Sequence, residues 1–125
     1  ELTARDWFDD DLKATTGIDV YASPFDPAAG CATYHHGHFR VLLLRLEDLR
    51  RVGPAALAAH LGATEPIPIV HRNEGARQGS GAAYEAFRSS AKLPRELVEA
   101  AYRTRPARHF YSGDELAAMT ERWCG

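Results

Sequence analysis

The chain is 125 residues long, 45% hydrophobic and 26% charged, with a formal net charge of −2. This is the composition of a soluble globular protein and the length of one domain or part of one, too short for two cores. The balance of charge excludes a strongly basic nucleic-acid footprint, and the longest apolar run, Val41–Leu44, is far below the roughly 20 residues of a membrane helix.

Charge is unevenly spread. Residues 1–26 carry seven acids against Arg5 and Lys13, whereas residues 27–125 carry ten acids and thirteen bases. A later segment with a positive excess can face an anion, or simply be an ordinary solvated surface. Cys31 and Cys124 lie far apart and neither belongs to a C-x-x-C pair, which favours a reducing, cytoplasmic setting and leaves a single bridge between them open.

Residues 3–14 read as an amphipathic helix, with Ala4, Phe8 and Leu12 at a spacing of four, Trp7 beside them, and Thr3 and Asp6 as a capping pair. Gly17 ends it. Ile18–Tyr21 reads as a short extended piece, and Pro24, Pro27 and Gly30 mark a loop. Phe39, Val41, Leu42, Leu43, Leu44 and Leu46 then form a nearly continuous apolar stretch broken by Arg40 and Arg45. A strand apolar on both faces is usually buried on both, as in parallel sheets. Its candidate neighbours, Cys31–Tyr34 and Ile67–Val70, are short, so part of the sheet is expected outside the chain. The start at Glu1, without methionine, fits that expectation.

Beyond the strand the pattern is helical. Gly53-Pro54 is expected to open a helix that runs to about Leu61 and stops at Gly62. Residues 82–91 make another, with Tyr84, Phe87 and Ala91 on one side. Pro94 opens a third with a stripe of Leu97, Val98, Ala101 and Tyr102. Ser112 and Glu115 form a capping box for the last helix, in which Leu116, Met119 and Trp123 recur at helical spacing.

Several stretches, taken in order, resemble a known family. They are Trp7-Phe-Asp-Asp-Asp-Leu-Lys13, Gly17-Ile-Asp-Val-Tyr21, Pro24-Phe-Asp-Pro27, Leu42-Leu-Leu-Arg-Leu-Glu-Asp-Leu49, Phe87 to Pro94, and His109-Phe-Tyr111. The chain is similar in them to the sulfotransferase-like capsular polysaccharide synthesis family. The resemblance implies an α/β fold: the C-terminal portion of a P-loop, three-layer sulfotransferase-like domain, mostly helical here with one central parallel strand. Residues 1–125 would then be the C-terminal part of a single domain whose donor-binding half is absent, since no strand–GxxGxxS/T–helix segment occurs. It further implies 3'-phosphoadenylyl sulfate as donor, no metal, and a saccharide or small-molecule hydroxyl as acceptor. A second chain or a missing N-terminal segment would complete the sheet. A non-catalytic nucleotide- or glycan-binding relative is the alternative, as is a small helical partner protein.

Within that frame the glycine-rich loop Arg72–Gly81 is the expected donor contact. Glycines let backbone N–H groups converge on an anion and arginine holds phosphate through paired hydrogen bonds. Arg77 leads, with Ser80, Arg72 and Gly79 beside it; a solvated loop is the plain alternative. Sulfuryl transfer needs a base for the acceptor hydroxyl, and His109 is the best histidine in this portion, although it equally reads as a packing residue. Arg45, inside the apolar stretch, must be paired, with Glu47 or Asp48 at hand. His35, His36 and His38 sit in a turn without the spacing of a zinc site, and Asp9, Asp10 and Asp11 read as a helix surface.

Overall fold

The computed structural model describes residues 6–70, 72 and 79–125. Its one sheet is a hairpin: β1 (Cys31–His36) pairs antiparallel with β2 (Phe39–Leu44), in a register that sets Cys31 opposite Leu44 and His36 opposite Phe39. Gly37 lies at φ +57° in the two-residue connection, the left-handed conformation that such tight hairpin turns demand. The other elements are helical: α1 (Ala14–Thr16), α2 (Leu49–Leu61), α3 (Gly81–Ser90), α4 (Arg95–Tyr102), α5 (Arg105–Phe110) and α6 (Gly113–Cys124).

The expected three-layer P-loop fold with a central parallel strand is therefore wrong. Among the described residues the chain is mostly helical, with one small antiparallel hairpin. The apolar stretch misled because two-sided cover does not require a parallel sheet. Ala32, Tyr34, Phe39, Val41 and Leu43 project from one face of the hairpin into the core, while α2 packs along the hairpin as well. Of the two proposed neighbours, Cys31–Tyr34 is the true partner strand. Ile67–Val70 is not a strand; Ile67 N–H donates to the Pro54 carbonyl at 3.0 Å, and Ile69 lies where a side chain on Gly53 would go.

The core is built from short segments rather than long elements. Leu12, Ile18, Val20, Phe25 and Phe110 form its centre, with Phe8, Tyr21 and Tyr111 packed against it. The first helix is wound as a π-helix over Phe8–Lys13 before α1, and the proposed Thr3 cap and Ala4 lie outside the described residues. Asp6 does capping work instead: its carboxylate accepts from Phe8 N–H at 3.1 Å and from the Tyr21 hydroxyl at 2.8 Å. Ile18–Tyr21 is not extended throughout, because Val20–Ala22 is a 3-10 turn capped by Asp19. Gly17, at φ +78°, ends α1 and leaves room for His36, whose ring atoms stand 2.5 Å from where a Cβ would be; His36 Nδ1 lies 2.9 Å from the Thr16 carbonyl.

Arg45 fastens these pieces. It is 7% exposed, directly after β2, and sits between the rings of Phe25 and Tyr111. Nε donates to Asp48 at 2.6 Å, Nη1 to the Phe110 carbonyl and to Glu115 at 3.0 Å, and Nη2 to the Pro27 carbonyl at 3.2 Å. One guanidinium thus joins the hairpin, the Pro27 loop, α5 and α6, and its fork geometry supplies enough donors for all of them. Of the two expected acidic partners Asp48 is correct, while Glu47 turns to Tyr111.

Helix α2 begins at Leu49, not at Gly53, so Pro54 lies inside it. The 3-10 turn Leu46–Asp48 leads straight into Leu49 and supplies the first turn that the sequence assigned to Gly53-Pro54. Helix α5 has its own start, Thr104 before Arg105-Pro106. Helix α6 carries the expected capping box: Glu115 N–H donates to Ser112 Oγ at 3.2 Å, and Ser112 N–H to the Glu115 carboxylate at 2.7 Å. The stripe expected to bury α3 does not do so. Tyr84 is 50% and Phe87 70% exposed, and in α4 Val98 is buried while Leu97 is 60% exposed.

Candidate functional site

The residues expected to contact a donor lie at or beside an edge of the described part. Arg77 lies outside the described residues. Arg72, Gly79 and Ser80 are exposed; Ser80 precedes α3 without a side-chain capping bond, and open space surrounds Gly79. His109, on α5, is half-buried and packs edge-on against Tyr21 and Phe110, with ring centroids 5.0 and 4.8 Å away. Its Nε2 is buried without a hydrogen-bond partner. That nitrogen is turned inward, while the ring also borders a shallow hollow. The shallow hollow beside His109 is lined by Tyr21, Arg105 and Arg108. Arg105 stacks over Tyr21 at 3.9 Å and pairs with Asp9 at 2.8 Å, so this carboxylate is engaged on the surface as expected. Among the described residues no group of three His, Cys, Asp or Glu side chains is placed to hold a metal ion. Both cysteines are free thiols.

The better-formed site was not foreseen. It lies where the C-terminal ends of α3 and α6 meet. Leu93 N–H donates to the Trp123 carbonyl at 2.9 Å and Lys92 Nζ to the Arg122 carbonyl at 3.2 Å, which fixes the chain after α3 against the end of α6. The junction leaves a cavity of about 530 Å³, lined by Glu85, Arg88, Ser89, Ala91, Lys92, Arg122 and Trp123. Three cations face one carboxylate there. Arg88 approaches Glu85 only to 3.7 Å, and Arg122 has no ion pair among the described residues, its guanidinium lying 5.7 Å from the Trp123 ring centre.

A second cavity of about 340 Å³ shares Arg122 and Trp123 as a wall and continues with Glu47, Tyr102, Ala107, Tyr111 and Met119. It is more aromatic, and its polar end is fixed by the Tyr111 hydroxyl donating to Glu47 at 2.9 Å. Burial, and then the neighbouring Glu47 carboxylate, pushes the Tyr111 phenol up to about 12. Tyr111 is therefore a neutral hydroxyl at any physiological pH.

Met119 and Trp123, four apart on α6, recur at helical spacing in the sequence, Trp123 reading as core; both are half-buried and line this cavity. The legible clue is a pair of basic residues, Arg88 in the last turn of α3 and Lys92 just beyond it. The anion site was instead sought before α3, roughly 12 Å away along a helix rising 1.5 Å per residue.

Fold and site together define a mostly helical protein built round an antiparallel hairpin, with an aromatic and basic face at its C-terminal helices. The chain belongs to the family described as "Putative capsular polysaccharide synthesis protein", whose model matches residues 2–112. The match ends at Ser112, before α6 supplies Arg122 and Trp123. No curated protein and no solved structure matches the chain. Among the described residues no helix is long and apolar enough to cross a membrane.

Proposed function

We propose that this chain works on a saccharide in capsular polysaccharide synthesis, and that the chemistry is transfer of a sulfuryl group from 3'-phosphoadenylyl sulfate to a saccharide hydroxyl. The observation that carries the saccharide part is the cavity between Trp123 and the Glu47–Tyr111 pair. An indole face packs against the C–H face of a sugar ring, and the Glu47 carboxylate and the Tyr111 oxygen, whose hydrogen is held by Glu47, can accept from sugar hydroxyls. Family membership supports the setting. The sulfuryl step rests on the resemblance of the sequence motifs alone. In it the acceptor oxygen bonds to sulfur, the donor's phosphate oxygen leaves with the electron pair, and a base takes the acceptor proton. The base is assigned to His109, with Glu47, exposed and lining the second cavity, as the other candidate. The donor contact is assigned to Arg77, Arg72, Gly79 and Ser80, and the setting to the cytoplasm.

The test is titration of 3'-phosphoadenosine 5'-phosphate into the full-length protein and its Arg77→Ala variant, followed by transfer of radiolabelled sulfur from the donor to saccharide acceptors. Binding that weakens in the variant, with label in the saccharide, supports the reading. No nucleotide binding and no label would sink sulfuryl transfer; unchanged binding in the variant would remove Arg77 alone.

A specific observation favours a second reading, a small protein that completes another polypeptide. Phe87 on α3, Leu93 just before α4 and Leu97 in its first turn are 70%, 42% and 60% exposed, large apolar side chains of the kind that partner surfaces cover. Size-exclusion chromatography with light scattering tests the case in which that polypeptide is a second copy: a lone monomer at micromolar concentration overturns it.

A further inference from the structure

The two cavities adjoin at Arg122 and Trp123, which line both. Their chemistry differs in a way that specifies a ligand. One offers a ring wall, a carboxylate and a phenol, which suits a neutral sugar ring. The other offers Arg88, Lys92 and Arg122 against Glu85 alone. A neutral glycan has no use for that excess.

The helix ends account for only part of it. The C-termini of α3 and α6 each carry roughly half a negative charge, and together with Glu85 they still leave the hollow positive. Nor are the cations consumed by pairing. Lys92 spends one of its three hydrogens on the Arg122 carbonyl, Arg88 is 3.7 Å from Glu85, and among the described residues Arg122 forms no ion pair, its guanidinium lying 5.7 Å from the Trp123 ring centre. Both volumes fall within the ~300–1,000 Å³ typical of small-molecule sites.

We propose that these adjoining cavities bind an acidic saccharide, with one sugar ring against Trp123, its hydroxyls on Glu47 and Tyr111, and the carboxylate or sulfate of the same or the next sugar among Arg88, Lys92 and Arg122. This rests on the reading that the chain works on a saccharide, and it adds the class: the acceptor is already anionic. A reaction that installs a uronate or an earlier sulfate must then precede this one. The phosphate of a nucleotide donor shares the anionic chemistry, so the test separates the two.

The probe is a tetrasaccharide of alternating glucuronate and N-acetylglucosamine, compared by calorimetry and saturation-transfer NMR with its carboxyl-reduced, neutral counterpart. The acidic form is expected to bind about tenfold more tightly, the scale of one charge-assisted hydrogen bond. Arg88 is exposed and, among the described residues, its ion pair is with Glu85 of the same helix, so Arg88→Gln should shrink that preference while neutral-sugar binding persists as evidence of folding. Trp123→Ala should weaken both sugars. Equal affinity for the two sugars, or a preference unchanged in Arg88→Gln, overturns the acidic class and leaves the saccharide reading standing. Absence of binding by either sugar overturns both. Binding of 3'-phosphoadenosine 5'-phosphate that is lost in Arg88→Gln identifies the hollow as a nucleotide site, and also overturns the proposal.

Discussion

Replacing Arg45 with methionine keeps an unbranched apolar stem between Phe25 and Tyr111 but removes every donor of the guanidinium. Asp48, a buried acceptor, then keeps only Arg51, at 2.9 Å, and the carbonyls of Phe110 and Pro27 lose their bonds from Arg45. Breaking a buried ion pair from one side costs about 3–5 kcal/mol; Glu115, partly exposed and still hydrogen-bonded to Ser112, recovers some solvation. The lower figure, about 3 kcal/mol, is therefore expected, a large share of the 5–15 kcal/mol typical of a domain. The assay is urea unfolding followed by far-UV circular dichroism between pH 3 and pH 8.

The pH dependence has a definite sign. Hydrogen bonds from Arg45 and Arg51 hold the Asp48 carboxyl below its ordinary value; the Ser112 backbone bond, and then Arg45, do the same for Glu115. Groups with depressed folded values contribute stability above their unfolded values, about 3.9 for Asp and 4.3 for Glu, and lose it as pH falls through the folded values. The penalty of Arg45→Met should accordingly be full at pH 6–8 and shrink below about pH 4. The double variant Arg45→Met/Asp48→Leu should regain part of the loss, because no unpaired carboxylate remains in the interior. A penalty under about 1 kcal/mol at pH 7, or one that does not change with pH, would refute the view of Arg45 as the fastening of this fold.

Two glycines with similar backbone angles should respond unequally to alanine. Gly30 lies at φ +71° with Asp48 Cγ 2.6 Å from where a Cβ would stand, whereas Gly37 at φ +57° faces open space. Both variants carry the roughly 1–2 kcal/mol of left-handed strain, but only Gly30→Ala must also push Asp48 off Arg45, so its unfolding midpoint should fall clearly further; equal losses would contradict the packing described. The Tyr111 phenol should remain largely protonated through pH 11, seen as the difference in ultraviolet titration between the protein and Tyr111→Phe, since it is pushed up to about 12. Glu47→Gln removes the carboxylate's share and leaves burial, so the phenol should ionise earlier yet still later than a free tyrosine; an unchanged curve would refute the Tyr111–Glu47 contact.

Local signals in the sequence were read well where the physics is local. The Ser112–Glu115 box, Gly17 and Gly62 as helix ends, and Cys31–Tyr34 as a strand all depend on a few adjacent residues. So did the demand that Arg45 be paired, because a guanidinium in an apolar stretch has no other way to exist. Errors arose where one local pattern serves two tertiary arrangements. An apolar run such as Val41–Leu44 is required by any strand covered on both sides, and periodicity does not distinguish a parallel sheet from a hairpin between a helix and a core. The stripe of Tyr84 and Phe87 shows the converse, an amphipathic pattern left exposed on α3.

The site divides along the same line. Sequence by itself determined the capped final helix that carries Met119 and Trp123, the basic residues Arg88 and Lys92, and the family resemblance, since each depends on residue identity and short spacing. Only the tertiary structure decided that the ends of α3 and α6 meet, that Trp123 is a cleft wall rather than core, that Glu47 joins Tyr111 across 64 positions of chain, and that one nitrogen of His109 is sealed away. Those facts follow from how separate segments close on one another, which depends on the whole chain at once and leaves no short-range trace in the order of its residues.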